Sequence, residues 1–158
     1  MIGVGGILME MTQAMDISDL YQEVILDHGK NPRNHGVLEN YDHEAEGYNP
    51  MCGDKLTVYV KVNQDDIIDD ISFEARGCAI SIASASIMSE IVKGKTIDEV
   101  NSLFDYFHKL CTGGETQQTN HLDDDIEKLK VMSGVNKFPS RIKCATMSWH
   151  AVRTALRV

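Results

Sequence analysis

Two periods of apolar residues run along this chain, one of two and one near 3.6, and they separate its strands from its helices. From Leu56 the apolar positions alternate, with Leu56, Val58, Val60 and Val62 on one face and Thr57, Tyr59 and Lys61 on the other. That alternation predicts a half-buried strand. Ile67, Ile71, Phe73 and Ala75 resume it after the polar turn around Asn63-Gln64-Asp65, which predicts a hairpin. The stretch before Cys52 is a candidate third strand.

The longer period appears elsewhere. Leu20, Tyr21, Val24 and Ile25 predict a first helix, capped by Asp16 and ended by His28-Gly29 and Asn31-Pro32. Ile80, Ala83, Ile87, Met88 and Ile91 predict a second, rich in alanine and serine and closed by Lys93-Gly94. Thr96-Ile97-Asp98-Glu99 reads as a capping box opening a third helix through Val100, Leu103, Phe104 and Phe107. Cys111 to Asn120 is polar and reads as a mobile loop. Asp123 to Met132 reads as a short helix with its acidic residues in the first turn, where the helix dipole favours them, and Gly134 to Ser140 breaks it. A last helix, from Cys144 to Arg157, carries Ala145, Trp149, Val152 and Leu156 on one face. Most helices follow the strands, so the expected fold is an α+β domain: a small antiparallel sheet of about three strands covered by helices. Residues 1–15 are read as a flexible N-terminal extension, with Met9, Met11 and Met15 as alternative starts, and 16–158 as one domain.

Composition narrows the functions open to such a domain. The 158 residues include 42% hydrophobic and 25% charged ones, ordinary for a globular chain, and carry a net charge of -9. That charge repels polyanions, so nucleic acid and anionic membrane are not expected partners. No apolar run approaches the roughly 20 residues of a membrane helix, and the opening MIGVGGILMEM lacks the basic flank and cleavage site of a secretory signal. The expected compartment is the cytoplasm, where four cysteines point to metal or sulfur chemistry more than to disulfides.

Three of those cysteines fall at expected element junctions: Cys52 ahead of a strand, Cys78 between strand and helix, and Cys144 at the start of the last helix. Gly53 allows a sharp turn through which Cys52 sulfur and Asp54 oxygen can face one centre. With Cys78 and Cys144 they make four ligands, the number a tetrahedral zinc takes. The carboxylate is the hardest of the four and the most easily displaced. Spacing alone leaves the matter open, because 25 residues separate Cys52 from Cys78 and 65 separate Cys78 from Cys144, with no CxxC knuckle. Three separate buried thiols would satisfy the same pattern.

The strings HGKNPRNHGVL (28–38), NPMCGD (49–54), FEARGCAISIASASIMSE (73–90) and GVNKFPSRIKCATMSWHA (134–151) resemble, in order, the U-type iron-sulfur cluster assembly proteins, the family of IscU and the NifU N-terminal domain. Three features resemble its SufU branch: Lys143 where IscU-type chains have histidine before the last cysteine, FPSRIK where they have an LPPVK-like segment, and the long stretch between the Thr96 helix and Cys144. The resemblance implies an IscU-like fold and a zinc site of Cys52, Asp54, Cys78 and Cys144. It also implies a sulfurtransferase-like role in which Cys52 accepts sulfur from the persulfide of a pyridoxal-phosphate cysteine desulfurase of SufS type and passes it to iron-sulfur acceptor proteins. The alternative is a scaffold on which the same residues hold iron or a nascent [2Fe-2S] cluster; a third is zinc that serves folding alone.

The remaining candidates have plainer readings. Cys111 matches no ligand position and reads as a passive or redox-exposed thiol. His108 and Cys111, three apart, read as a surface pair, and none of the six histidines sits in a metal-ligand pattern. Arg141 and Lys143 either attract anionic sulfur or a partner, or are a solvated basic pair. Asp123-Asp124-Asp125 is a helix start, and Trp149 belongs to the core.

Overall fold

The computed structural model describes residues 21–116 and 122–157. The expected 1–15 extension, the Asp16 cap and part of the polar stretch after Cys111 lie outside the described residues. Three strands form one antiparallel sheet in the order β1 (His43–Asn49), β2 (Asp54–Val62), β3 (Ile68–Arg76). Residues 21–30 are helical (α1), followed by α2 (Ala79–Val92), α3 (Ile97–Thr112), α4 (Asp123–Leu129), a 3-10 segment (Lys130–Lys137) and α5 (Pro139–Leu156). This is the α+β architecture the patterning predicts. Among the described residues no helix is long and apolar enough to cross a membrane.

The period of two sorts the sheet as expected. Leu56, Val58, Val60, Ile71 and Phe73 are buried under the helices, and Glu44, Glu46 and Glu74 lie exposed. Tyr59, on the outer face, is also buried, its hydroxyl donating to Glu74 Oε1 at 2.7 Å and its ring 5.0 Å from that of Tyr41, and one residue changes face. The register shifts between Lys61 and Val62, Val62 pairs with Ile68, and Ile68 rather than Ile67 reaches the core. A bulge adds one residue to one strand and so turns its neighbour over to the other face. The free edge of β3 is covered by the segment after α1, through Gly36 N–H to Phe73 O at 2.7 Å and Phe73 N–H to Asn34 O at 3.1 Å. Such cover removes an exposed row of strand donors and acceptors.

Helix α5 is the hub, touching β1, β2, α2, α3 and the 3-10 segment. Cys144 to Trp149 are buried without interruption, as are Ala83 to Ser89 in α2, so both helices are buried nearly all round rather than on one stripe. Gly47 on β1 allows α5 to approach closely, since a Cβ there would stand 2.7 Å from Met147 Cγ. Trp149 is fully buried, with its ring 5.5 Å from that of Phe107. Trp149→Ala is expected to lower the unfolding free energy by about 3–5 kcal/mol in a urea titration, the usual loss for emptying an indole-sized core position.

Four helix boundaries depart from the sequence reading. Helix α4 ends at Leu129, short of Met132, and the chain continues as the 3-10 segment through Gly134 to Lys137. Helix α1 runs through His28-Gly29 and ends before Asn31-Pro32, the second of its two expected stops, because His28 is buried and its Nδ1 hydrogen-bonds Ser86 Oγ at 2.7 Å, while Gly29 lies against Ala79. Glycine serves close packing there, not a cap. Helix α3 opens on the expected capping box but continues through Cys111 to Thr112, and Gly113 closes it at φ 80°. Helix α5 starts at Pro139, not Cys144, because Pro139 occupies the first turn, where a missing N–H costs nothing.

Candidate metal centre

The site forms where the hairpin end, the start of α2 and the early part of α5 meet. In the β1–β2 register Asn49 and Asp54 are the closing pair, and the four residues between them include Cys52 and Gly53. Asn49 continues the inward face of Ala45 and Gly47, and Asp54 that of Leu56 and Val58. Both polar side chains therefore turn under the helices; Asp54 is fully buried and Asn49 is 4% exposed. Gly53, at φ 71°, makes the turn that lets Cys52 and Asp54 look the same way.

Sulfur and carboxylate atoms of Cys52, Asp54 and Cys144 all lie within 4.8 Å of one another. Cys144 Sγ is 3.3 Å from Cys52 Sγ. Cys78 caps the N-terminus of α2, where its N–H donates to Asp54 Oδ1 at 2.8 Å and its sulfur lies 3.6 Å from Asp54 Oδ2. Cys78 thus meets the Asp54 carboxylate but stands outside the group of three whose ligand atoms all lie within 4.8 Å of one another. The three thiols do not sit in separate neighbourhoods. No histidine belongs to the group among the described residues.

Its electrostatics follow from burial. Desolvation first, then bonds to Asp54, Cys52 and Cys78, push the Cys144 thiol well above its usual pKa. Cys144 lies in the second turn of α5, past the reach of the helix dipole that a helix-start position would have given it. The nearby cation is Arg141, whose guanidinium pKa is raised first by its hydrogen bond to Cys144 and then by the charges of Cys78, Cys144 and Cys52. Three sulfurs and a carboxylate suit a borderline-soft divalent cation such as zinc. Such an ion supplies the positive charge this buried acceptor cluster needs if its sulfurs are to be thiolates.

Two supporting residues were not found from the sequence. Gly77, at φ 146°, stands opposite Asp54, and a Cβ there would collide with Asp54 Oδ1 and come 2.9 Å from Asp54 Cα. Asn49 Nδ2 donates to Cys144 Sγ at 3.5 Å. The glycine before Cys78 and the asparagine before Pro50 were visible as letters, but only the strand register gives them a neighbour.

The other candidates lie elsewhere. Cys111 is fully buried in α3, not at a loop edge, and desolvation pushes its thiol up to about 12. It is expected to escape iodoacetamide at neutral pH until the protein is unfolded; labelling of native Cys111 as fast as Cys52 would contradict that. His108 stacks on Phe104 at 5.9 Å and faces His150 at 6.1 Å. Arg153 lies over the same Phe104 ring. Asp123, Asp124 and Asp125 fill the first turn of α4, and Asp125 pairs with Lys95 at 3.0 Å. Lys143 lines a groove of about 380 Å³ between β1 and α5, with Glu46, Tyr48, Met51, Met147 and His150.

Fold and cluster together define a class: a small α+β domain that presents thiols and a carboxylate at one end of a three-stranded sheet. This chain belongs to the NifU-like N terminal domain family, which matches residues 20–145. It is 43% identical over 137 residues to the zinc-dependent sulfurtransferase SufU of Bacillus subtilis, covering 87% of this chain and 89% of that one. It is 38% identical over 141 residues to the iron-sulfur cluster assembly scaffold protein IscU of Streptococcus pyogenes, covering 89% and 85%. A nitrogen-fixing NifU-like N-terminal protein of Brucella abortus has the same fold, with TM-score 0.77 and 27% identity, covering 89% of this chain and 94% of that one.

Proposed function

We propose that this protein is a zinc-dependent sulfur carrier for iron-sulfur cluster assembly, with Cys52, Asp54, Cys78 and Cys144 as the metal ligands and Cys52 as the sulfur acceptor. The observation that carries this reading is the convergence of Cys52, Asp54 and Cys144 within 4.8 Å, with Cys52 on a loop. Similarity to a zinc-dependent sulfurtransferase supports it. Bound zinc supplies the charge that keeps buried sulfurs ionised near neutral pH.

The donor is a pyridoxal-phosphate cysteine desulfurase of SufS type, acting with this protein in the cytoplasm. Cys52 thiolate attacks the outer sulfur of the desulfurase persulfide. A new S–S bond forms on Cys52, the old one breaks, and the desulfurase cysteine leaves as thiolate; no net oxidant is needed. Cys52 suits this step because its neighbour Met51 is 76% exposed, whereas Cys144 is 1% exposed within α5. Iron-sulfur acceptor proteins then take the sulfur. Incubation of the zinc-loaded protein with a cysteine desulfurase and cysteine should add one sulfur atom to the peptide bearing Cys52, read by mass spectrometry. Sulfur on another peptide, or on none, would refute the assignment.

A second reading is favoured by the similarity to IscU scaffold proteins: the same four side chains hold a nascent [2Fe-2S] cluster as cargo. Anaerobic addition of iron and sulfide distinguishes the two. Stable cluster absorption at the expense of zinc supports the scaffold, and retention of zinc supports the carrier.

A further inference from the structure

The hairpin that carries Cys52 closes on two polar side chains, and each reaches a different helix. Asp54 receives the N–H of Cys78 at the start of α2. Asn49, its register partner, reaches Cys144 on α5, with Nδ2 to Sγ at 3.5 Å. The other end of the same amide accepts the main-chain N–H of Met51 at 3.3 Å. A backbone N–H can only donate, so it fixes Oδ1 on the loop side and leaves the NH2 group for the sulfur. The bond to Cys144 is buried, with Asn49 at 4% exposure, and the bond from the Met51 N–H is part-buried at the loop.

Donors around the cysteines are unevenly shared. Cys144 sulfur receives the Asn49 amide. Cys52 sulfur has no N–H donor among the described residues, only its contact with Cys144 Sγ. An N–H aimed at a thiolate stabilises its lone pairs. That lowers its nucleophilicity and its electron donation to a metal while fixing its direction.

We propose that Asn49 is a positioning residue of the metal centre: its amide anchors Cys144 sulfur as the static ligand and ties the Cys52 loop to it, leaving Cys52 the more reactive thiol. This deepens the reading of the cluster as a metal site and rests on it. The role acts through Cys144 and the loop, not on the transferred sulfur itself.

Two variants separate the two bonds. Asn49→Ser keeps a short acceptor for the Met51 N–H, as serine does in such turns, but cannot reach Cys144. Asn49→Leu is similar in size and removes both. Each is loaded with cobalt(II) to read the thiolate-to-metal charge-transfer band, and each is titrated with zinc against a chelator. In Asn49→Ser the band is expected to move to lower energy, because the sulfur lone pair has lost its donor, and zinc binding to weaken about tenfold, the low end for loss of a residue supporting a metal ligand. Asn49→Leu is expected to show the same band shift with a larger loss of affinity. Limited alkylation of the metal-free proteins adds a readout without metal: the preference for Cys52 over Cys144 is expected to shrink in both. An Asn49→Ser protein with the parent band and the parent affinity overturns the proposal, whatever Asn49→Leu does. None of these readouts uses a desulfurase, so failure of the parent Cys52 to take up sulfur would refute the carrier function and leave this test intact.

Discussion

Cys52→Ala is expected to take up no sulfur from a cysteine desulfurase, a loss of at least a hundredfold against the parent rate, while its unfolding free energy in urea stays within about 1 kcal/mol when metal is absent. Cys52 is half-buried on a four-residue hairpin loop, so truncation opens no core cavity. The chemistry suffers far more than the fold, because neither remaining cysteine of the site can replace the attacking sulfur. Cys144 lies at 1% exposure inside α5, bonded by the Asn49 amide, and Cys78 is held at the N-terminus of α2 by the Asp54 carboxylate. Mass spectrometry of the desulfurase reaction measures the loss. Persulfide appearing on the variant at the parent rate would move the acceptor role to another cysteine.

Gly77→Ala is expected to be nearly as damaging for a backbone reason. At φ 146° the residue holds a conformation that side-chain-bearing residues avoid, and the new methyl would collide with the Asp54 carboxylate. Strain of that kind costs about 1–3 kcal/mol, and overpacking a filled site adds about as much. Because the atom displaced is a proposed ligand, zinc affinity is expected to fall at least tenfold as well. Gly53→Ala is the control: Gly53 also has positive φ, at 71°, but open space surrounds its Cβ position. It should cost about 1 kcal/mol, the left-handed strain alone, with a much smaller effect on zinc. Urea denaturation of the metal-free proteins and chelator competition for zinc measure the two effects. Equal behaviour of the two variants would show that Gly77 gives no special room to Asp54.

What the sequence revealed follows how local each signal is. The capping box at Thr96-Glu99, the alternation through β2 and the burial of Trp149 depend on a few neighbouring residues, and each appears as expected. Ile68 taking the place of Ile67 depends on a bulge, which period-two reading cannot see. The start of α5 has a local signal in Pro139, whose fixed φ and missing N–H suit the first helical turn. Cys111 looked like a loop thiol because the polar residues after it begin one position later, yet α3 carries it into the core.

The candidate site divides in the same way. Cys52, Gly53 and Asp54 are adjacent, so their common direction could be argued from a turn. Cys78 and Cys144 could be joined to them only through resemblance, since 25 and 65 residues intervene. Asn49 and Gly77 were missed for a different reason. Their roles exist only across a strand pair, where the register sets Asn49 beside Asp54 and the turn after β3 brings Gly77 against the same carboxylate.

Sulfur transfer at this site requires one ion bound by three sulfurs and one oxygen at the end of the sheet. X-ray absorption at the zinc edge of the loaded protein tests that most directly. Three sulfur scatterers at about 2.3 Å and one oxygen near 2.0–2.2 Å are predicted. A shell of two sulfurs or fewer, or one requiring imidazole nitrogen, would contradict it.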